Sequence, residues 1–320
     1  MSKLKTAFDL ITKKEDKREF QKAIADNITK TNILQRMPDT AYLKLIYWLI
    51  FGRKLDLRNP QTFNEKLQWL KLNDRKTEYT TMVDKYEVKK YIAEKIGEEY
   101  VIPTLGVWDN FDDIDFDLLP NQFVLKCTHD SGGLVICKDK SKFDIAMARE
   151  KITQALTRRF YYFGREWPYK EVNPRIIAEK YMVDESVSEL RDYKFFCFNG
   201  IPKFYYVAET PNGVFYDLIC DFFMPDGKPA DFYRLDHKRF DVLPEIPENL
   251  EEMLSIAKDL SSDFPFVRVD LMNVEGRLYF SELTFTPCAG IMPLAPEGTD
   301  NKLGDWLDLE QYKMKDRKQR

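Results

Sequence analysis

One stretch of the sequence, residues 266–284, reads FVRVDLMNVEGRLYFSELT and predicts two β-strands joined by a short turn. Apolar residues are interrupted by polar ones in both halves, as expected for strands that face a core on one side. With a three-residue loop at 274–276 and its glycine left-handed, Arg268 pairs with Glu282, and Asp270 is the diagonal neighbour on the same face. The stretch therefore predicts a hairpin with two carboxylates and an arginine on one face.

The two carboxylates of this hairpin indicate its chemistry. Asp270 and Glu282 repel each other and lose hydration in an apolar sheet, so they need cations. Mg²⁺ held together with nucleotide phosphates meets that need, because Mg²⁺ prefers oxygen ligands. The simpler alternative is a solvated sheet face with an Arg268–Glu282 ion pair. We take the hairpin to favour phosphoryl chemistry.

Composition limits the remaining classes of protein. The chain has 320 residues, of which 32% are charged and 44% hydrophobic, which is a globular balance large enough for two or three compact units. A formal net charge of −4 argues against general nucleic-acid binding. Five cysteines without a CxxC pair indicate reduced thiols in the cytoplasm rather than a disulfide framework or a zinc site.

No membrane-spanning segment is predicted. The residues after Lys3 and Lys5 lack the apolar core of a signal peptide, and the most apolar stretch, 41–51, is too short to cross a bilayer. Its aromatic residues leave a peripheral contact with the inner face of the membrane open, although a helix packed into a core is the favoured interpretation.

The order of predicted elements indicates an α+β protein. The first 80 or so residues read as helical, and Thr62 and Glu65 have the spacing of a capping box. Further helices are predicted at 83–97, 145–160 and 250–260, and extended segments or strands at 101–108, 122–126, 134–137, 175–182, 192–198, 203–208 and 214–221. We divide the chain into a helical unit (1–82), a small unit (83–178), a large unit with the acidic hairpin (179–310) and a polar tail (311–320).

A short loop follows the strand that ends at Lys126. Ser131, Gly132 and Gly133 offer exposed N–H groups and little bulk, as a phosphate-binding loop requires. An ordinary hairpin turn is the alternative. His129 in the same loop is either a phosphate or substrate contact or a surface residue.

Three further motifs combine acidic and basic residues. Glu179 and Lys180 lie in an apolar extended run, either at a solvated edge or lining an adenine slot. Asp192 and Lys194 share one face of a strand, which also suits a simple salt bridge. The pair at 84–85 opens a helix, where an aspartate also compensates the helix dipole.

The order of these motifs resembles the ATP-grasp superfamily over residues 83–308. Those enzymes clamp ATP between two α+β lobes and join a carboxylate to an amine. The resemblance assigns to ATP the phosphate lysines Lys85 and Lys126, the lid loop Ser131-Gly132-Gly133, the adenine hinge Glu179, Lys180 and Met182, and the strand with Asp192, a candidate for the ribose, and Lys194.

The same resemblance implies a metal site in the hairpin. Asp270 and Glu282 match the Mg²⁺ carboxylates, and Arg268 matches an arginine that steadies the transferred phosphoryl group and the tetrahedral intermediate. Thr284 stands where many members have asparagine, so its role as a metal ligand is open.

A closer resemblance is to the TupA-like branch of ATP-grasp. It is carried by NPQTFNEKLQW at 59–69, DKY at 84–86, DYK at 192–194, and FPFVRVD at 264–270 with ELT at 282–284. This branch is associated with teichuronopeptide and other surface-polysaccharide synthesis of the bacterial cell envelope and capsule, and its members are often labelled glycosyltransferases.

The resemblance implies a cytoplasmic ATP- and Mg²⁺-dependent carboxylate–amine ligase that works through an acyl phosphate. Its partners would be an amine and a carboxylate on a surface-glycan precursor or an amino acid. The alternatives are a glycosyltransferase using the DxD patterns at 113–117, a phosphotransferase with the same ATP clamp, and an inactive binding scaffold.

Overall fold

The computed structural model describes residues 14–31, 33–184, 189–211 and 218–310. The tail 311–320 and part of the strand predicted at 214–221 lie outside these ranges. The α-helices are α1 (Lys14–Thr31), α2 (Asp39–Phe51), α3 (Phe63–Asn73), α4 (Glu78–Val83), α5 (Val88–Lys95), α6 (Ile145–Leu156), α7 (Tyr161–Gly164), α8 (Leu250–Ser261) and α9 (Thr299–Trp306). The strands are β1 (Thr104–Trp108), β2 (Phe123–Cys127), β3 (Leu134–Cys137), β4 (Ile176–Lys180), β5 (Asp192–Phe198), β6 (Ile201–Glu209), β7 (Ile219–Phe223), β8 (Tyr233–Arg234), β9 (Phe266–Val274), β10 (Arg277–Thr284) and β11 (Leu294–Ala295).

A five-stranded antiparallel sheet, in the order β10-β9-β5-β6-β7, forms the larger core. Because side chains alternate between faces, residues such as Phe195 and Val269 pack on one side against α8. Phe196, Phe204 and Phe266 pack on the other side, where α3 and α9 cover them. The sheet is therefore buried on both faces over most of its length.

A four-stranded antiparallel sheet, in the order β1-β4-β2-β3, forms a second core. Helix α6 covers one face, where Ile152 packs with Phe123 and Leu125. An isolated parallel bridge joins Val101, which lies just before β1, to Phe280 in β10.

The N-terminal helices form a third cluster and reach the large sheet. Tyr42, Leu43 and Tyr47 of α2 pack with α1. Helix α3 begins at the predicted capping box, because Thr62 Oγ1 accepts the N–H of Glu65 and the Glu65 carboxylate accepts the N–H of Thr62. No helix in the described ranges is both long and apolar enough to cross a membrane.

The predicted hairpin exists, but its register differs from the prediction. The loop has two residues, Glu275 and Gly276, with φ of 51° and 81°, and Val274 pairs with Arg277. Two successive residues with positive φ suit the tight turn that right-handed strand twist favours. The assumed three-residue loop was therefore wrong.

An irregularity in β10 shifts the pairing further. Between Phe280 and Glu282 the strand carries an extra residue, so Asp270 pairs with Glu282, and Arg268 with Thr284. The two carboxylates thus lie directly opposite each other rather than diagonally. In the part of the chain that the structure describes, Arg268 forms its salt bridge with Asp270, and Glu282 interacts with Arg268 only through its charge.

Two predicted helices were too long. Of the helix predicted at 83–97, the structure forms α5, Val88–Lys95, because Asp84 ends the preceding helix in an extended conformation and its carboxylate accepts the N–H groups of Tyr86 and Glu87. The helix predicted at 145–160 ends at Leu156. In the first case the side chain of Asp84 interrupts the helical pattern.

Candidate functional site

A row of charged side chains crosses three strands of the larger sheet. Lys194 on β5 pairs with Asp270 on β9, which pairs with Glu282 on β10. Lys194 Nζ lies 2.7 Å from Asp270 Oδ2, and Arg268 donates to the two oxygens of Asp270 at 2.6 and 2.7 Å. Asp270 is fully buried, so its charge must be compensated by these two cations.

The ionisation of Asp270 follows from its neighbours. Burial by itself would raise the pKa of Asp270, but the charges and hydrogen bonds of Arg268 and Lys194 outweigh it and hold that pKa below 3.8. Asp270 is therefore an anion at neutral pH.

Arg268 is oriented by Asp270 and by β10. Its Nη2 donates to Thr284 Oγ1 at 2.9 Å, and that hydroxyl donates to Glu282 Oε1 at 3.1 Å. Among the described residues, none accepts a hydrogen bond from Nη1 of Arg268. The guanidinium is held in place with one terminal nitrogen left for another anion.

The oxygen atoms of Asp270, Glu282 and Thr284 are suitable ligands for magnesium that is bound together with phosphate. The carboxylates of Asp270 and Glu282 are adjacent, and the Thr284 hydroxyl lies beside Glu282. Within the described ranges, no group of three or more His, Cys, Asp or Glu residues could hold a metal ion by itself. Since Mg²⁺ commonly takes one or two protein carboxylates and completes its shell with phosphate oxygens and water, the two acids suit a shared site.

A second charged cluster lies on the smaller sheet. Glu179 on β4 is bound by Lys126 Nζ at 2.6 Å and by Lys89 Nζ at 2.5 Å. Glu179 and Lys126 share a face, because Val124 of β2 pairs with Glu179 two residues before Lys126. Burial would raise the pKa of Glu179, but Lys126 and Lys89 outweigh it and hold the pKa below 4.5.

The loop after Lys126 is anchored at its base and open at its tip. Lys85 Nζ donates to Asp130 O at 2.7 Å, and Arg158 binds the buried Asp130 carboxylate at 3.1 Å. His129 is buried, with Nε2 3.1 Å from Arg158 O, so its interpretation as a surface residue was wrong. Ser131 and Gly132 are exposed, and Gly132 has a φ of 94°. Gly133 is buried, and its carbonyl accepts the N–H of Cys127.

The remaining candidate residues lie near these clusters. Lys180 is exposed, and its N–H donates to Pro103 O at 3.0 Å. Met182 is half-buried. Asp192 is half-buried, with its carboxylate 3.4 Å from Lys194 Nζ. The structure thus brings Lys194, Arg268, Asp270, Glu282 and Thr284 into direct contact, and separately joins Lys126 to Glu179.

Sequence reasoning missed Lys89, Glu166 and Tyr169. Lys89 lies four residues after Lys85, a helical spacing that could have drawn attention to it. Glu166 is buried, accepts a 2.5 Å hydrogen bond from Thr286 Oγ1 and interacts electrostatically with Glu282 and Arg268. Burial raises the pKa of Tyr169, and the charge of Glu282 adds to the effect. Residues 161–171 have no regular period, so nothing local indicated the last two.

The DxD segment lies away from both charged clusters in the hydrogen-bond network. Asp115 accepts the N–H of Asp117, and Asp113 accepts a hydrogen bond from Asn110. All three aspartates lie in or beside short 3₁₀ turns, and Asp115 caps the turn that contains Asp117. Their local role is turn formation.

Comparison with known proteins gives one family match. A family model described as TupA-like ATPgrasp matches residues 65–308. No protein with curated annotation matches the chain.

Several solved structures resemble the chain at low identity. They include a D-alanine–D-alanine ligase from Bacillus anthracis complexed with ATP (18% identity, 64% of this chain, 55% of that chain, TM-score 0.39). A second is a D-alanine–D-alanine ligase from Helicobacter pylori (17% identity, 71% of this chain, 61% of that chain, TM-score 0.37). A third is an L-amino acid ligase from Bacillus licheniformis (12% identity, 69% of this chain, 47% of that chain, TM-score 0.41). The chain thus spans about half to three fifths of the length of these proteins.

Proposed function

The chain belongs to the TupA-like ATP-grasp family, and from that premise we propose that it is an ATP-dependent ligase that joins a carboxylate to an amine through an acyl phosphate. The observation that carries the proposal is the row Lys194–Asp270–Glu282, in which a lysine and two acids face one another on three adjacent strands. A nucleotide triphosphate with its metal supplies both the anion and the cation that such a row accommodates.

The lysines have a direct role in this proposal. In the structure Lys126 and Lys89 form salt bridges with Glu179. With ATP bound, their ammonium groups would neutralise phosphate oxygens of the nucleotide. Lys194 would do the same from the large sheet, and Lys85 would contact the phosphates from the loop that it anchors. Asp270 and Glu282, with Thr284 as a candidate third ligand, would hold Mg²⁺, and the ion would offset the negative charge of the phosphates.

Arg268 would serve the transferred group. A carboxylate oxygen of the substrate attacks the γ-phosphorus, the bond from that phosphorus to the β–γ bridging oxygen breaks, and ADP leaves. The amine nitrogen then attacks the acyl carbon, loses a proton, and phosphate leaves as the amide forms. Nη1 of Arg268 would stabilise the negative charge that develops in both steps, while Asp270 keeps the guanidinium in place.

The other candidate residues complete the site in this proposal. The exposed tip of the loop, Ser131 and Gly132 with Gly133 behind it, would close over the phosphates and exclude water from the acyl phosphate. The backbone around Glu179, Lys180 and Met182 would receive the adenine. Asp192 remains the candidate for the ribose.

The biological setting is part of the same proposal. Residues 83–178 and 179–310 would be the two lobes around ATP, next to the helical unit 1–82. We place the reaction in the cytoplasm because it consumes ATP, with a contact to the inner face of the membrane left open. The carboxylate would belong to a uronic acid or amino acid of a surface-polysaccharide precursor.

A glycosyltransferase is the less favoured function. Its signature aspartates, 113–117, form hydrogen bonds that shape their own turn. A phosphotransferase would use the same nucleotide residues and differ only in its product.

Nucleotide binding followed by product analysis tests the proposal. We expect a non-hydrolysable ATP analogue to raise the melting temperature only when Mg²⁺ is present, and UDP- or GDP-sugars to leave it unchanged. Mixtures of uronic acids, amino acids and amines would then be screened for ADP release, with products identified by mass spectrometry. An amide with ADP and phosphate supports the ligase, a phosphoester identifies a phosphotransferase, and stabilisation by a nucleotide-sugar alone overturns the proposal.

A further inference from the structure

Helix α3 carries three buried polar side chains on one face. Asn64, Gln68 and Lys71 are spaced four and three residues apart, which places them on the same side of a helix. Their exposed fractions are only 0%, 1% and 4%. Buried polar groups need partners, and here the partners are not in α3.

All three side chains bind the loop that follows β10. Gln68 Nε2 donates to Ala289 O at 3.0 Å and to Gly290 O at 2.7 Å. Lys71 Nζ donates to Ala289 O at 2.5 Å and to Gly164 O at 2.6 Å. Asn64 accepts the N–H of Met292 at 2.8 Å and donates to Met292 O at 2.9 Å.

The loop that receives these bonds has an unusual backbone. Cys288, Ala289 and Gly290 have φ of 52°, 51° and 66°, all in the left-handed region. Two of the three are not glycine, and such a conformation persists only where the surrounding structure enforces it. A Cβ on Gly290 would lie 2.6 Å from Gln68 Nε2, so α3 and this backbone are in close contact. The hydrogen bonds from Gln68 and Lys71 to Ala289 O and Gly290 O hold the backbone in this conformation.

The loop also lies beside the charged row. It begins two residues after Thr284, and the hydroxyl of Thr286 donates to Glu166. Both Glu166 and the Cys288 thiol interact electrostatically with Arg268. A movement of residues 286–292 would therefore change the surroundings of Arg268.

We propose that Gln68 and Lys71 are positioning residues of the proposed ligase, which hold residues 286–292 in their left-handed conformation as a wall of the site beside Arg268. The motif NPQTFNEKLQW then has a role in the reaction, because it supplies Asn64 and Gln68 of this face of α3. The inference rests on the proposed function for its chemical role. It predicts that loosening α3 slows the reaction more than it weakens the binding of the nucleotide. Lys194 and Asp270 contact each other, and that contact involves no residue of α3.

Labelling of Cys288 tests the structural part of this proposal. Cys288 is partly buried while the other four cysteines are buried, and burial raises the pKa of its thiol, so slow labelling by iodoacetamide reports on this loop. Gln68→Met keeps the side-chain volume and removes both donated hydrogen bonds. We expect labelling of Cys288 to accelerate about tenfold, as the loss of one or two hydrogen bonds implies, with Cys197 in the core still protected.

The matched control is Gln154→Met at an exposed position of α6, where labelling of Cys288 should stay at the wild-type rate. A labelling rate in Gln68→Met equal to that of wild type overturns the proposal, because the loop would then be held without α3. Lys71→Met, which removes the other donor to Ala289 O, should act in the same direction.

ADP release tests the chemical part. We expect Gln68→Met to lower kcat about tenfold while KM for MgATP changes less than about twofold, which separates positioning from nucleotide binding. An unchanged kcat overturns the positioning role. If the wild-type protein neither binds the ATP analogue nor releases ADP, the proposed function fails, and the labelling rate of Cys288 still decides whether α3 holds the loop.

Discussion

Asp270 and Glu282 lie directly opposite each other on β9 and β10, although like charges in that arrangement destabilise a sheet. Arg268 and Lys194 compensate Asp270 at 2.6–2.7 Å, whereas Glu282 accepts a hydrogen bond from the uncharged hydroxyl of Thr284. The two acids therefore differ in role: Asp270 supports the fold of the site, and Glu282 is the acid more available to a further cation. The predictions below follow from this difference.

Asp270→Asn should destabilise the protein as well as abolish nucleotide binding. The substitution removes the salt-bridge partner of the buried Arg268 and the nearer of the two carboxylates beside Lys194, which costs about 3 kcal/mol or more. Urea denaturation measures the loss. Asp192→Asn, at 3.4 Å from Lys194 and half-exposed, is the control and should cost less than about 1 kcal/mol. Equal losses in the two variants would contradict the assigned difference.

Glu282→Gln should separate binding from stability. Glu282 contributes one hydrogen bond in the native protein, so the free energy of unfolding should change by less than about 1 kcal/mol. The Mg²⁺-dependent stabilisation by an ATP analogue should nevertheless disappear, as seen in thermal shift. A variant that still responds to Mg²⁺ as wild type does would remove Glu282 from the metal site.

Acid should unfold the protein through Asp270 and Glu179. Both have a native pKa below the ordinary values of 3.8 and 4.5, so at low pH the unfolded chain binds more protons than the native one. Their contribution to stability is fully present above those ordinary values and is lost as pH falls through the lower, native pKa values. Unfolding free energies measured from pH 6 to pH 3 should fall, with a shallower slope in Glu179→Gln. Identical slopes in that variant and in wild type would show that Glu179 does not contribute to the acid dependence of stability.

Thr62→Ala should weaken α3 through its capping box. The hydroxyl of Thr62 accepts the N–H of Glu65, and losing such a cap costs about 1 kcal/mol. Thr77 precedes α4 without a side-chain cap, so Thr77→Ala serves as the matched control with little expected change. Chemical denaturation compares the two, and the interpretation fails if Thr77→Ala costs as much.

Much of the site could be predicted because period-two alternation is local. This alternation placed Arg268 and Asp270 on one face of β9. On that face Asp270 contacts Lys194 of the neighbouring strand β5. The register could not be predicted, since the bulge before Glu282 leaves no local signature in ELT. The cation that each acid binds depends on that register.

The sequence by itself indicated the family through the order of several short motifs along the chain. It also determined the capping box at Thr62 and the face on which the acidic residues of the hairpin lie, because both depend on residues close together along the chain. Tertiary structure decided that Lys89 and Lys126 bind Glu179 and that Gln68 reaches Ala289, more than 200 positions later. Such contacts arise from the packing of elements distant in sequence, where buried charges and polar groups find partners that no local pattern specifies.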